Sequence, residues 1–333
     1  MFIVQTYSLA VIFSIITMLC WGSWANTQKL AGREWRFELF YWDYVIGLLI
    51  LSLILAFTLG SFGVEGRSFI QDLGQVNLNN LLWAFFGGVV FNAANILLVA
   101  AIAIAGMSVA FPVGVGLALV IGVFLNYLLN PVANPVFLSL GVAFVAIAII
   151  LDGIAYKRLP SEGRGMTTKG LVLCLFSGIL MGLWYPIWAK SISTDFVNLA
   201  VGKLSPYTAV FLLSIGVLVS NFLFNTLAMK KPFIGEPVSG SAYFKGGLRL
   251  HSIGILGGII WCIGTSLNII AAGRASFAVS YGLGQTAPMI GALWGIFAWK
   301  EFKGAPPGTN KFLSFMFACF IIGLVFIIIA RVM

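Results

Sequence analysis

"GGVVFNAANILLVAAIAIAGMSVAFPVGVGLALVIG", residues 87–122, has a second copy in the chain: "GGIIWCIGTSLNIIAAGRASFAVSYGLGQTAPMIG", residues 257–291. Both open on Gly-Gly and two β-branched residues. Both then show S-x-A-x-x-x-G-x-G, at Ser108, Ala110, Gly114 and Gly116 and at Ser276, Ala278, Gly282 and Gly284. Both close on A-x-x-I-G, at Ala118 and Ala287. Self-similarity over this length points to a duplicated structural unit.

The setting of the copies decides what the unit is. Of 333 residues, 60% are hydrophobic and 9% charged, far below the roughly 25% charge of water-facing chains. Apolar runs long enough to cross a bilayer, about 20 residues, recur ten times: 7–28, 38–60, 80–103, 107–129, 136–155, 170–190, 205–228, 251–272, 275–298 and 311–331. The first run lacks a basic leader and a small-residue cleavage site, so it reads as a retained helix. The copies cover spans 3–4 and spans 8–9. Five spans is an odd number of crossings, so the second copy enters the membrane upside down. The expected fold is an all-α polytopic membrane protein of ten helices, built as two inverted-topology five-helix repeats. Residues 1–333 form one transmembrane domain, with halves 1–155 and 170–333 and a cytoplasmic linker at 156–169.

Charge gives the orientation. The net +9 lies in loops between spans and speaks to topology rather than to nucleic acid. If the amino terminus is outside, the stretches 29–36, 157–169, 230–249 and 300–311 face the cytoplasm and carry 14 of the 19 Lys and Arg. Arg67, Lys190, Lys203, Arg274 and Arg331 fall on the other side. Both termini are therefore expected outside, in a plasma membrane of bacterial inner-membrane type.

Polar side chains retained within spans tend to face a cavity or the bundle interior. Asn92 and Asn95 share a face of span 3, and Thr265 and Asn268 share one of span 8, with Trp261 a turn earlier. Tyr281 and Gln285 are an i,i+4 pair in span 9. "LWYPIWAK" in span 6 brings Trp184, Tyr185 and Trp188 around Pro186, and "CWGSWANTQK" ends span 1 with Trp21 and Trp24. Together these are the candidate substrate-binding residues. Amides and aromatic planes without an internal Arg or Lys suit a small neutral polar solute, not a phosphate or carboxylate. Helix–helix hydrogen bonds for the amides and an interfacial belt for the tryptophans stay open as alternatives. The two Trp stretches are expected at opposite faces of the membrane, as the two ends of one pathway. The glycines of spans 4 and 9, with Pro112 and Pro288, read either as ordinary packing or as points where helices bend.

Asp43, in "YWDYVIG", lies inside span 2 and is the candidate proton-coupling residue; a structural pairing with Lys29 or Arg33 is the alternative. Asp152 reads as an interfacial cap, and His251 as a headgroup-facing residue. Cys20, Cys174, Cys262 and Cys319 fall in apolar spans with no metal-ligand spacing. A phosphate loop is absent, since "GRGMTTKG" (163–170) lacks the required spacing. With no HExxH and no serine–histidine–aspartate set, enzyme readings lack support. The expectation is a secondary transporter with no cofactor, driven by a proton or sodium gradient, with the lipid bilayer as its surroundings and monomer or homodimer both open. Export of amphipathic compounds and a non-transporting receptor are the alternatives.

The motifs also carry a likeness. "TMLCWGSWANTQKLAGR", "YWDYVIG", "FIQDLGQVNLNNLLWAFFGGVV", "GMSVAFPVGVGLALVIGVFLNYLLNP" and "QTAPMIGALWGIFAWKEFKG" resemble the drug/metabolite transporter superfamily, and within it the ureide permeases. Span 4 is also similar to that of bacterial rhamnose and glucose/ribose uptake proteins. The resemblance implies uptake of ureides, nucleobases or monosaccharides, generally with protons, and matches Asp43 to the family's aspartate in span 2. The long central loop of plant ureide permeases has no counterpart here.

Overall fold

A computed structural model describes residues 1–32, 34–159 and 167–333. Half of the expected linker, and with it Arg164 and half of the 163–170 stretch, lies outside the described residues, as does Arg33. The protein is a multi-pass integral membrane protein. Nine helices among the described residues are long and apolar enough to cross a membrane.

Span 1 is α1 (Tyr7–Ser23) continued by α2 (Ala25–Ala31), with Trp24 at the joint. Span 2 is α3 (Phe37–Phe57), followed outside the bundle by short α4 (Phe69–Gln75). Span 3 is α5 (Leu78–Ala105). Span 4 is composite: α6 (Met107–Ala110), a π-turn (Phe111–Val115) and α7 (Gly116–Leu129). Pro112 has no N–H to give the α-helical ladder, which accounts for the π-turn at that point. α8 (Pro135–Lys157), α9 (Thr168–Ala189) and α10 (Pro206–Lys230) are spans 5 to 7, and α11 (Leu248–Ala275) is span 8 after a 3-10 turn at Gly240–Lys245.

Span 9 departs from expectation. Residues 275–298 are not one helix but α12 (Phe277–Gly284), a break at Gln285–Thr286, α13 (Ala287–Leu293) and a π-turn at Trp294–Ala298. Pro288 again removes a donor just past the break. The proline-bearing spans 4 and 9 are therefore both interrupted, which favours bending over plain packing. α14 (Thr309–Ile329) completes the bundle.

α5 packs on α9 and α10, and α11 packs on α1 and α3; α3 also meets α10, α7 meets α9 and α12, α12 also meets α1, and α8 pairs with α14. Swapping each span for the one five later maps this set of pairs onto itself. The tightest crossings are made by glycine. A Cβ on Gly258 would sit 1.9 Å from the Tyr44 carbonyl oxygen, and one on Gly88 would sit 2.1 Å from that of Leu213. α3–α11 and α5–α10 therefore touch backbone to backbone, the geometry that small residues permit in membranes. α5 and α11 both end on a positive φ, at Gly106 (78°) and Ser276 (84°). Glycine adopts that conformation freely, whereas Ser276 is strained by about 1–3 kcal/mol. Its hydroxyl accepts from the Val279 N–H and so starts α12.

Candidate functional site

The centre of the bundle is an aromatic column rather than an open hole. Trp261 stacks on Trp21, with centroids 6.4 Å apart, and Phe91 lies 4.3 Å from Trp261. Trp184 meets Trp21 (6.2 Å), Phe91 (5.2 Å) and Trp261 (6.1 Å). Beyond it, Tyr185 touches Tyr281 at 5.0 Å. Toward the end assigned to the cytoplasm by the Lys/Arg count, Tyr44 meets Trp24 at 4.9 Å and Trp261 at 6.3 Å. The helices supply these rings because α1, α3, α5, α9 and α11 each turn one aromatic face inward.

The amides and hydroxyls hold the rings in place. Trp21 Nε1 donates to Thr265 Oγ1 (3.1 Å), and Tyr185 donates to Asn268 Oδ1 (2.6 Å). Asn268 Nδ2 donates to the Ser280 carbonyl at 2.7 Å, tying α11 to α12. Asn95 Nδ2 donates to Tyr41, which stacks on Tyr44. Tyr281 donates to the carbonyls of Ala118 and Met181, and Gln285 is buried at the span 9 break. Two expected residues turn aside. Asn92 reaches Ser220 Oγ on α10 (2.9 Å), and Trp188 Nε1 donates to the Ala209 carbonyl. Both serve helix contacts first, although the Trp188 ring still stacks on Trp184.

Two polar atoms in the column are left without a partner. Tyr44 Oη and Trp184 Nε1 are buried and unbonded, each flanking Trp261. A buried donor left unpaired costs about 1–3 kcal/mol, so an incoming polar group has something to gain there.

Several expectations are corrected. "CWGSWANTQK" and "LWYPIWAK" do not sit at opposite faces; Trp21 and Trp184 meet edge to face in the middle. Lys29 pairs with Glu301, not with Asp43. His251 does not face headgroups: its Nδ1 lies 2.8 Å from Asp43 Oδ1. Asp43 also accepts from Tyr243 (2.5 Å) and from Trp35 Nε1 (3.1 Å). The pairing follows from close packing, since a Cβ on Gly254, one turn after His251, would sit 2.4 Å from Asp43 Cβ. Tyr243 lies outside the spans, and its phenol is raised well above its ordinary range by burial and then by Asp43. Asp152 caps nothing: it is fully buried and neither oxygen is bonded.

A transmembrane bundle of this topology, with a neutral aromatic and amide centre, calls for comparison with known transport proteins. The family model for ureide permeases matches residues 40–164 and 162–330. The chain belongs to the ureide permease family. It is 24% identical to Ureide permease 1 of Arabidopsis thaliana, over 97% of each chain. It is 25% identical to the glucose uptake protein GlcU of Bacillus subtilis (strain 168), over 88% of this chain and 89% of that one. A solved crystal structure superposes over 97% of this chain and 98% of its own with a TM-score of 0.60 at 16% identity, a likeness of fold alone.

For a permease of this family, five contributors went unread in the sequence. Tyr44 and Phe91 belong to the column, and His251 with Tyr243 and Trp35 belongs to Asp43. Tyr41 and Tyr44, three apart and so on one face of span 2, were the available signal for the first.

Proposed function

We propose that the protein is a secondary active transporter that imports a small uncharged polar metabolite, of the monosaccharide or ureide/nucleobase class, across the plasma membrane. The halves work as inverted five-span repeats that expose the central column to each side in turn, with both termini outside. The repeat reading is supported by the duplicated sequence and by packing pairs that map onto themselves when spans five apart are exchanged.

The observation that carries the substrate class is the pair of unpaired polar atoms, Tyr44 Oη and Trp184 Nε1, within a wall of indole and phenyl faces. A neutral ring-shaped solute offers acceptors to both and stacks on the aromatic planes. None of the column residues is Lys or Arg, so nothing there would clamp an anion. The printed names of the relatives, ureide permease and glucose uptake protein, agree with this class.

Asp43, His251, Tyr243 and Trp35 form the latch that closes the cytoplasmic end, and protons are the driving ion. For that end to open, α3 must part from α11 and from the 3-10 turn, which breaks the contacts of Asp43 with His251 and Tyr243. Thermal shift of the purified protein against monosaccharides, ureides and nucleobases tests the substrate class. One class is expected to stabilise the wild type saturably and Tyr44→Phe less; stabilisation by none, or by anions instead, would overturn the reading. Proteoliposomes that release but never accumulate the stabilising solute would point to export.

A further inference from the structure

Asp43 is buried and fully satisfied, but a second buried aspartate is not. Asp152, one turn before the end of α8, is 0% exposed, and both carboxylate oxygens lack a hydrogen-bond partner. A bare carboxylate charge at that depth costs several kcal/mol without a cation or donors to offset it. Among the described residues neither is present, so the position is built to hold something that neutralises the group.

The surroundings say what. One turn on, the Tyr156 hydroxyl donates to Glu301 Oε2 at 3.1 Å, and Glu301 Oε1 pairs with Lys29. Asp152 and Tyr156 stand one turn apart on α8, so the Tyr156 hydroxyl links the part of the helix that carries Asp152 to Glu301. Glu301 is part-exposed, its side chain 24% accessible, so the two acids run from a buried position to the surface. Arg158, at the end of α8, is taken by Thr309 and the Pro307 carbonyl, and Lys157 is exposed. Of the elements packed on α8, α14 offers Lys311, exposed at its start, and Cys319 farther along. Span 4 offers Tyr127, near the opposite end. The α8–α14 register set by Gly141 against Ile327 and Val145 against Gly323 puts apolar Met316 level with Asp152.

Both interrupted spans meet at this pair. A Cβ on Gly295, in the span 9 π-turn, would lie 2.7 Å from Glu301 Oε2 and 3.0 Å from the Tyr156 hydroxyl. The Glu301 N–H donates to the Gly295 carbonyl. Phe111, which opens the span 4 π-turn, meets the Tyr156 ring at 6.3 Å. π-Turns inside helices recur at functional positions, and here a shift of either one moves the Glu301 side of the pair.

We propose that Asp152 is a proton-binding site of the transport cycle, with Glu301 as its outlet to the cytoplasm, separate from the Asp43 latch. The inference rests on the transport reading for its role in the cycle. The Asp152 carboxyl passes its proton through water to the Glu301 carboxylate, which leaves Asp152 charged and Glu301 neutral. Glu301 then releases the proton to cytoplasmic water and pairs again with Lys29. Asp152 cannot stay charged in its buried position, so it must be reprotonated before the bundle closes over it.

Infrared difference spectroscopy of the full-length protein in proteoliposomes, from about pH 5 to about pH 9 to cover the range of buried carboxyls, reads the site without any solute. The C=O stretch of a protonated carboxyl is expected to be lost in Asp152→Asn, kept in Asp43→Asn, and moved along the pH axis in Glu301→Gln. An unchanged band in Asp152→Asn would overturn the proposal. In the same vesicles, Asp152→Asn is expected to lose accumulation driven by a pH gradient while solute counterflow, which needs no net proton, persists at a reduced rate. Gradient-driven accumulation equal to wild type would also overturn it. Should Asp152→Asn fail to insert, Glu301→Gln carries the test: a pH profile identical to wild type counts against the proposal. If the wild type moves no solute in either assay, the transport reading fails, whereas the infrared result still decides whether Asp152 binds a proton.

Discussion

Replacing Tyr44 by phenylalanine isolates the observation on which the substrate class stands. The ring stacks on Tyr41 at 5.1 Å and packs on Trp24 and Trp261, and all of that is kept; only the unpaired hydroxyl goes. In the solute-free protein the deletion removes a buried unsatisfied group worth about 1–3 kcal/mol. The void left is that of one oxygen, which costs about a few tenths of a kcal/mol at ~24 cal/mol per Å³. The net gain of about 1–2 kcal/mol raises the unfolding midpoint by roughly 2–6 °C. With solute bound, one neutral hydrogen bond worth about 0.5–1.5 kcal/mol is missing, so affinity falls roughly 2- to 13-fold. Differential scanning fluorimetry without solute and uptake kinetics in proteoliposomes measure the two halves. A Tyr44→Phe protein that melts below wild type and transports with unchanged KM would refute the idea that this hydroxyl waits for a ligand.

Gly258→Ala drives a Cβ to 1.9 Å from the Tyr44 carbonyl and is expected to lose about 1–3 kcal/mol or more through forced separation of α3 and α11. Gly291→Ala, with nothing within 4 Å, is the control and should be neutral or slightly stabilising; equal melting of the two would count against the backbone-to-backbone crossing. Asp43→Asn should flatten the pH profile of uptake, and a profile identical to wild type removes Asp43 from proton coupling. Tyr243, whose folded-state pKa is raised, contributes stability that is complete below its ordinary value of about 10 and is lost as pH rises beyond that. Alkaline unfolding of Tyr243→Phe should therefore be less steep than that of wild type. Cysteine at Val64, 97% exposed, should react with an impermeant maleimide in intact cells, and cysteine at Phe244, 85% exposed, only after lysis; the reverse pattern inverts the orientation.

The spans were legible because hydropathy over about 20 residues survives any detail of packing. The interruption of span 9 was not, since residues 275–298 stay apolar on either side of Gln285–Thr286, and Pro288 alone permits either a kink or a break. Residues one turn apart were readable as shared faces: Thr265 with Asn268, or Tyr281 with Gln285. What joined them was not. His251 and Asp43 are 208 positions apart, and their contact depends on Gly254 letting α11 approach α3. Asp152 looked interfacial by its distance from the span end. Its burial comes from α14 and the span 4 π-turn, neither of which local sequence places beside it. Asn92 illustrates the reverse error, since an inward amide in span 3 found a partner on the neighbouring α10 rather than in the column.

The two ends of the bundle are fastened by different chemistry, and that difference supplies a direction. At the end proposed to face outward Asp72, fully buried, accepts from Arg67 Nε (3.0 Å), from Gln75 and from the Ser205 N–H (2.7 Å). Arg67 also donates to the carbonyls of Leu199, Ala200 and Lys203. Arginine keeps its charge at any cellular pH, so this fastening does not answer to protons; it answers to whatever pulls the 190–205 loop away from α4. At the end proposed to face the cytoplasm, the partners of Asp43 are His251, Tyr243 and Trp35, and none of them is an arginine. The loops that carry part of each fastening, 58–77 with Arg67 and Asp72 and 231–247 with Tyr243, lie five spans apart. Under the proposed proton coupling, a gradient therefore has its purchase, of these two fastenings, on the one around Asp43. Arg67→Lys is accordingly expected to change the maximal rate of uptake without moving its pH profile, because lysine keeps the charge but loses the forked contacts to three carbonyls. His251→Gln is expected to move the profile, and a common shift in both variants would show that the ends do not differ in the way their side chains imply.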